Sequence, residues 1–416
     1  MNKGMIVAGV MSGTSADGIN VAMVRVSGRR RSRAASPATL AVREQERALS
    51  LPKGCPLRIE LLGHAEYSYP KKVRAAVLAA MNASQASVAE LARLNFLLGE
   101  LYSEAVLAAA RQFRVKVDLV GCHGQTLYHQ GEPQRFLGRR LAATWQTGEA
   151  AIVAVRVGVP VVSDFRPADM AVGGKGAPLV PFLDYMLFRD PHIGRIVQNI
   201  GGIANLTAIP AGAAASDVVA FDTGPGNMVI DAVTEELFGK PFDRGGRIAA
   251  SGKVLEKIIH GILQRDFFTR KSPKTAGREE FGREFVREFL RACGRCRKQD
   301  IVATATALTA QSIADAVRRY AAGNSRSARS QAFREMILSG GGAKNSALVA
   351  MLTGELGPLR LRLRFSDEFG LPSAAKEAVA FAVLAHETWL QHPSNIPSAT
   401  GATRAAVLGK ISYPWA

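Results

Sequence analysis

The sequence predicts a two-domain α/β protein whose two halves share one design. Three observations lead there. At 416 residues the chain is too long for one small core. Short apolar β-type runs repeatedly end in glycine-rich turns and give way to helical patterns, as they do in α/β sheets. A hairpin built on a glycine turn occurs twice, about 190 residues apart, which points to an old duplication.

The first hairpin organises the first half. Met5 to Val10 and Ile19 to Val26 are its apolar arms, and the polar tip Met11 to Gly18 holds Gly13, Thr14, Ser15 and the Asp17-Gly18 pair. Glycine and Asp-Gly supply the positive φ angles of a tight turn. The tip's amides and the hydroxyls of Ser12, Thr14 and Ser15 are expected to converge on an anion such as phosphate, the alternative being an ordinary turn with serines in it. From Val26 to Pro56 the chain is basic and weakly periodic. Ser87 with Glu90 forms a capping box, and Leu91, Leu94, Leu98, Leu101 and Ala105 recur at helical spacing to about Arg114, as core positions do. Val115 to Gly121 reads as a buried strand running into Cys122, His123, Gly124, Gln125 and Thr126. Residues just past a strand's carboxyl end are where α/β sheets present ligands, so His123 is a candidate site residue as well as a candidate core histidine. Trp145 to Ala154 reads as a helix and Pro160 to Ser163 as a strand ending at Asp164 and Arg166, where Asp164 is either functional or simply paired with Arg166. The glycine-rich loop Gly173 to Pro178 then opens a helix over Leu179 to Phe188.

The second half repeats the device. Arg195 to Asn199 and Ile203 to Ile209 flank the turn Gly201-Gly202. Val218 to Phe221 delivers Asp222, Thr223, Gly224, Pro225, Gly226 and Asn227 before a helix over Met228 to Phe238. Met336 to Leu338 empties into Ser339, Gly340, Gly341 and Gly342, followed by a helix from about Asn345 to Leu356. Glu377 sits on an Ala/Val-rich helix, Ala374 to Leu390, and His392 to Ser398 reads as a Pro/Ser linker. The expected boundaries are 1–163 plus about 390–416 for one domain and 164–389 for the other.

Composition narrows the function classes. A hydrophobic fraction of 47% and a charged fraction of 21% describe a globular protein. The excess of 53 Lys+Arg over 35 Asp+Glu suits polyanionic partners, but the densest runs, Arg29 to Arg33 and Arg326 to Arg334, fall in loops and lack the interleaved aromatics that stack bases. Cys293 and Cys296 form a lone C-x-x-C with no second pair to complete a zinc tetrahedron, so they, Cys55 and Cys122 are expected as free thiols in a reducing cytoplasm. The apolar run at the start is too short for a secretory core, and no run reaches the ~18 apolar residues of a membrane span.

No G-x4-G-K-[ST], G-x-G-x-x-G or G-x-S-x-G motif is present, which argues against P-loop, dinucleotide and serine-hydrolase chemistry. What remains is four glycine-rich turns at strand ends, suited to a nucleotide held between two domains. The carboxylates Asp17, Asp164, Asp222 and Glu377 are candidates for a general base and for ordering Mg²⁺ through water. Asp222 stands out because its glycine neighbours expose it at the mouth of a sheet.

Six blocks carry a specific resemblance: GVMSGTSADGIN (Gly9 to Asn20), CHGQTL (Cys122 to Leu127), DFRPADMAVGGKGAPLVP (Asp164 to Pro181), NIGGIAN (Asn199 to Asn205), FDTGPGN (Phe221 to Asn227) and GGGAKN (Gly340 to Asn345). In this order they resemble the motif set of the anhydro-N-acetylmuramic acid kinases. The resemblance implies the sugar kinase/actin/heat-shock ATPase fold, a duplicated ribonuclease H-like α/β architecture with ATP in the interdomain cleft. It implies conversion of 1,6-anhydro-N-acetylmuramic acid, ATP and water into N-acetylmuramic acid 6-phosphate and ADP, in cell-wall recycling, by a cytoplasmic homodimer that uses Mg²⁺.

By that resemblance Ser12, Gly13, Thr14, Ser15, Ala16, Asp17, Gly18 and Ile19 form the phosphate loop, and Gly201, Gly202, Gly224, Gly340, Gly341 and Gly342 contact the nucleotide. Asp222 would deprotonate the water that attacks the anomeric carbon, and Glu377, in KEAVAF, would help hold it. His123, Gln125, Asp164 and Arg166 would face the sugar, with Arg166 suited to its lactyl carboxylate. Lys175 stands where the family usually has Gln, and Pro167 and Ala168 replace the more basic residues that usually follow Asp-Phe-Arg. A same-fold kinase of another sugar, a nucleic-acid-binding protein on an ATPase fold and an actin-like assembly protein are the alternatives.

Overall fold

The computed structural model describes residues 4–13, 16–28, 57–81, 83–270, 274–323 and 333–415. Thr14, Ser15, Cys55, the Arg29 to Arg33 run and residues 326–332 of the second basic run lie outside the described residues. The chain divides into two units, 1–187 with 214–216 and 375–416, and 188–213 with 217–374.

The first unit is built on a seven-stranded sheet. Strands β1 (Met5–Ser12) and β2 (Gly18–Ser27) form the expected antiparallel hairpin, with Met5 opposite Val26 and Val10 opposite Val21. β3 (Arg58–Ser68) adds antiparallel to β2. On the other side of β1 lie β4 (Leu119–Phe136) and β6 (Val161–Ser163), both parallel, and then β12 (Lys410–Ser412), antiparallel to β6. β5 (Arg139–Thr147) folds back on β4. Leu137 and Gly138 both take positive φ there, the turn geometry that matches the twist of a two-residue hairpin.

Helix α1 (Lys71–Ala80) precedes α2 (Val88–Phe113), whose Ser87 cap accepts the Glu90 amide and which ends at Arg114 in left-handed conformation. Leu94, Leu98, Tyr102, Ala105, Val106 and Ala109 of α2 enter the core with Val10, Val21, Met23 and Val120 of the sheet. α3 (Ala150–Val157), α4 (Phe165–Ala171) and α5 (Pro181–Phe188) follow, and α10 (Lys376–Trp389) returns to this unit. α10 lies unusually close to the strands. A Cβ at Gly9 would stand 1.8 Å from the Ala378 carbonyl oxygen and one at Gly121 2.2 Å from that of Phe381. Two glycines and an alanine-rich helix face thus let helix backbone rest directly on sheet backbone.

The second unit carries five strands: β7 (Gly194–Ile200), β8 (Ile203–Ile209), β9 (Val219–Pro225), β10 (Phe333–Ser339) and β11 (Arg362–Phe365), in the order β11-β10-β7-β8-β9. β7 to β9 run antiparallel to one another, while β10 is parallel to both β7 and β11. The series β6-β4-β1-β2-β3 has the same order and the same directions. Two sheets of one topology are the structural form of the expected duplication. α6 (Asn227–Phe238), α7 (Arg283–Cys293), α8 (Lys298–Gly323) and α9 (Ser346–Leu356) bury Val229, Val233, Phe285, Phe289, Ile313 and Leu352 against the second sheet.

Several local expectations are corrected. Trp145 belongs to β5, because the helix starts only at Ala150, after Gly148 at φ 121°. His123 and Gln125 lie inside β4, since pairing with β5 carries that strand on to Phe136. The segment after α10 is folded and not a linker: Ser394 and Asn395 are buried, and the Asn395 amide donates to Asp169 Oδ1 at 2.7 Å. Residues 164–187 and 375–389, expected in the second domain, group with the first unit because α10 packs on β1, β2, β4 and β6. Cys122, Cys293 and Cys296 are free thiols.

Candidate active site

In the first unit the hairpin tip is braced from inside. The Ser12 hydroxyl, expected to face an anion, is buried and lies 2.7 Å from Gln125 Oε1, 2.8 Å from the Tyr69 hydroxyl and 3.1 Å from the Gly18 carbonyl oxygen. Gln125 Nε2 donates to the Gly13 carbonyl at 3.2 Å. Gln125 therefore spends both ends of its amide on the tip, and this side chain holds the loop's shape where the sequence suggested a sugar contact. Ala16 turns the tip at φ 52°, its amide donating to the Gly13 carbonyl at 3.1 Å. Gly18 is required, since a Cβ there would meet the Tyr67 carbonyl oxygen at 2.2 Å. Asp17 is exposed and paired with Arg74 at 3.0 Å, and Ile19 is buried in β2.

A second constellation in this unit centres on Arg166 at the start of α4. Its Nε and Nη2 lie 3.1 and 2.8 Å from His123 Nε2, and Nη1 donates to the Gly176 carbonyl at 2.7 Å. Arginine only donates, so His123 Nε2 is unprotonated and Nδ1–H donates to the Gly124 carbonyl at 2.8 Å. Burial, then the Arg166 charge, hold His123 well below its ordinary range, and the same causes bring His129 down to about 4. Burial lowers Arg166 to about 10, against the pull of Glu377 and Asp169, which leaves it charged at neutral pH. The Arg166 cation is thus flanked by neutral imidazoles. Phe381 of α10 fixes the histidine, its ring 4.5 Å from that of His123 and 5.3 Å from that of Phe165.

Asp164, at φ 52° ahead of α4, pairs with Lys410 at 3.1 Å and not with Arg166, whose guanidinium is turned to His123. With His123, Asn95, Gln146 and Lys410 it lines a polar recess of about 370 Å³. Lys175 is paired with Glu132 at 2.6 Å. Glu377 keeps solvent access in the first turn of α10, yet the density of protein around it raises its carboxyl above the usual range, against Lys376 and Arg166. Lys376 is itself buried against Asp184 at 2.8 Å, which pins the turn that carries Glu377.

Asp169 was not among the sequence candidates, yet it organises the glycine loop. Fully buried, it accepts from the Gly176 amide at 2.8 Å, Asn395 Nδ2 at 2.7 Å and the Thr400 hydroxyl at 2.8 Å. Asp169→Ala leaves these three donors without their acceptor and is expected to cost about 3 kcal/mol of stability, read by denaturant unfolding.

In the second unit three glycine turns meet. The carbonyls of Gly201 and Gly202 accept the amides of Asn227 and Gly226 at 2.7 and 2.9 Å, which closes the N-terminus of α6 onto the β7–β8 turn. Gly340, at φ 84°, abuts the Ile200 carbonyl, and Gly341 and Gly342 face Asn227, whose Nδ2 donates to that carbonyl at 3.3 Å. Gly224, at φ 156°, is packed against Ser312 of α8. Side chains at Gly201 or Gly202 would meet nothing nearer than 3.5 Å, so this turn offers bare backbone, as a phosphate-contacting turn does.

Asp222 lies inside β9, two residues before Gly224. Its amide donates to the Lys274 carbonyl at 2.9 Å, and its Oδ2 accepts the Ala276 amide at 2.7 Å. Burial pushes its carboxyl up to about 7, helped by Glu279 and opposed by the Ala276 amide and the Lys274 charge. A carboxyl near 7 suits a general base at neutral pH. A base acts only when ionised, so kcat/KM is expected to rise tenfold per pH unit on the acid side and level off near pH 7. A pH–rate profile of the free enzyme checks this.

A sequence model of the anhydro-N-acetylmuramic acid kinase family matches residues 51–414. The chain belongs to that family. Anhydro-N-acetylmuramic acid kinase from Bacillus cereus (strain AH187) is 38% identical over 413 residues, covering 99% of this chain and 100% of that one. The enzyme of the same name from Bacillus thuringiensis (strain Al Hakam) is 39% identical over 413 residues, covering 99% of each chain. Membership favours the sugar-kinase expectation over the nucleic-acid one. Among solved structures, a ROK family glucokinase from Streptomyces griseus aligns with a TM-score of 0.38 at 11% identity over 92% of this chain and 99% of that one, a likeness too low to carry weight. Among the described residues no cluster of three or more His, Cys, Asp or Glu could hold a metal, and no helix is long and apolar enough to cross a membrane.

Proposed function

We propose that this chain opens the 1,6-anhydro ring of 1,6-anhydro-N-acetylmuramic acid with water and phosphorylates O6 from ATP, giving N-acetylmuramic acid 6-phosphate and ADP. The observation that carries the reading is the match to enzymes of that name over 413 residues. The site residues support it chemically. Asp222 takes the proton of the attacking water, its carboxylate fixed by the Ala276 amide. Glu377 helps hold that water. When the C1–O6 bond breaks, O6 becomes the acceptor of the γ-phosphoryl group.

Asp164, which lines the polar recess, binds sugar hydroxyls, and the Arg166 guanidinium, oriented by His123, balances the lactyl carboxylate. The hairpin tip (Ser12 to Ile19) and the glycine turns at 201–202, 224 and 340–342 serve the phosphates and the nucleotide through backbone. Magnesium, brought in with ATP, would supply charge neutralisation at the phosphates. Its remaining contacts would be with water, which Mg²⁺ retains readily. The same reading makes the protein a cytoplasmic homodimer in peptidoglycan recycling.

The test measures ADP release from Mg-ATP against a panel of sugars, with products weighed by mass spectrometry. Stimulation by the anhydro sugar, with a product heavier by one water and one phosphoryl group, supports the reading. Stimulation only by another sugar, with simple phosphorylation, would replace it.

A further inference from the structure

Lys274 is unlike the other described lysines. It is 6% exposed, yet among the described residues its ammonium has no carboxylate partner and instead donates to the Phe267 and Phe268 carbonyls at 2.8 and 3.3 Å. It also sits 4.5 Å from the Phe267 ring centroid, at the edge of a cluster of Phe267, Phe268, Phe281 and Phe285. Burying an ammonium against carbonyls alone is costly, and a methionine or leucine would fill such a place more cheaply. The compensation lies at the other end of the same short segment. Lys274 accepts the Asp222 amide on its carbonyl, and Ala276, two residues on, donates its amide to the Asp222 carboxylate. The Phe268 ring that flanks the anchor also stands 3.0 Å from the Cβ position of Gly224, two residues beyond Asp222. The ammonium therefore fastens a backbone clamp that holds Asp222 from both sides.

We infer that Lys274 is a positioning residue for Asp222: its side chain anchors the 274–276 segment, and that segment aims the Asp222 carboxylate. The inference rests on the reading of Asp222 as the base. Its charge has a second consequence. Lys274 pulls the Asp222 carboxyl down, in opposition to burial and Glu279, so removing that charge lets the carboxyl rise further above about 7. Lys274 itself is lowered to about 8 by burial, with Arg319 and Arg270 acting in the same direction and Asp315 and Asp222 against it, so at neutral pH it remains mostly charged.

The experiment compares kcat, KM and the pH profile of kcat/KM in Lys274→Gln, Lys274→Met and Lys274→Arg, with Asp222→Asn alongside. Lys274→Gln keeps a donor for the carbonyls but loses the charge. Its acid limb is expected to move to higher pH, with kcat above the limb falling less than about fivefold. Lys274→Met loses both, and kcat is expected to fall by about 10- to 100-fold with KM for the sugar within about threefold, as befits a mis-aimed base. Lys274→Arg restores most of the rate. A kcat and an acid limb unchanged in both Lys274→Gln and Lys274→Met would overturn the inference. So would an equal loss in all three variants, Arg included, with no movement of the limb, since a purely structural role gives that pattern. If Lys274→Met fails to fold, the limb in Lys274→Gln and the rescue in Lys274→Arg decide. Failure of the underlying reading looks different: Asp222→Asn would then keep its activity whatever the lysine variants do.

Discussion

Asp222→Asn is expected to lower kcat by about 10²- to 10⁴-fold, the range that a positioned general base supplies. Asparagine can still accept the Ala276 amide through its side-chain oxygen, so the local geometry survives while the capacity to take a proton is lost. The loss should be joint: ring opening and phosphorylation fail together, because O6 becomes an acceptor only as the C1–O6 bond breaks. The flat region above pH 7 should lose its acid limb as well, since the group that titrates there is gone. Kinetics of ADP release and of sugar product on one sample read both effects. A variant that still released phosphorylated sugar at the normal rate would remove Asp222 from the chemistry.

Gly9→Ala is expected to be the most damaging small change to the fold of the first unit. The new methyl would stand 1.8 Å from the Ala378 carbonyl oxygen and 2.8 Å from the Ala382 amide nitrogen, both backbone atoms of α10 that cannot rotate aside. The helix must shift outward, at a cost of about 3 kcal/mol, which for a unit of this size lowers the unfolding midpoint by roughly 6–12 °C. Because Glu377 rides on the first turn of the same helix and Phe381 holds the His123 ring, the surviving folded protein should also lose turnover. Gly354→Ala is the matched control. That glycine lies inside α9 with nothing within 4 Å of its Cβ position, so alanine there is expected to raise stability by up to about 1 kcal/mol. Differential scanning calorimetry of the two variants distinguishes a packing cost from a general intolerance of glycine replacement.

The elements that were legible in the sequence are those whose burial writes a regular pattern. β8 spans Ile203–Ile209, as the apolar run predicts, and α2 begins after its Ser87 cap and ends where its leucine spacing stops. β4 and β5 were not legible because the outer half of β4, Gln130 to Phe136, is polar and exposed, and what makes it a strand is its pairing with β5. The Trp145 stretch carries helical residue types, yet Gly148 divides it into the end of a strand and the start of a helix. At the site, Asp222 and the glycine turns stood out because strand and turn chemistry are local. Asp169 and Lys274 did not, since their partners lie far along the chain, at Asn395 and Thr400 for one and at Asp222 for the other. Ser12 was legible as a hydroxyl of the hairpin tip and Gln125 as a candidate sugar contact, but not as each other's partner. Only the register that sets Ser12 beside Gln125 on β1 and β4 reveals that.

The most direct measurement of the central claim runs the reaction with 1,6-anhydro-N-acetylmuramic acid and Mg-ATP in water enriched in ¹⁸O, quenched before anomeric exchange. The account predicts one ¹⁸O per sugar phosphate, located at C1, with the 6-phosphate carrying none from water, because water attacks the anomeric carbon and O6 receives the phosphoryl group. Label in inorganic phosphate with unlabelled sugar would mean that water attacks ATP instead, and would contradict the account.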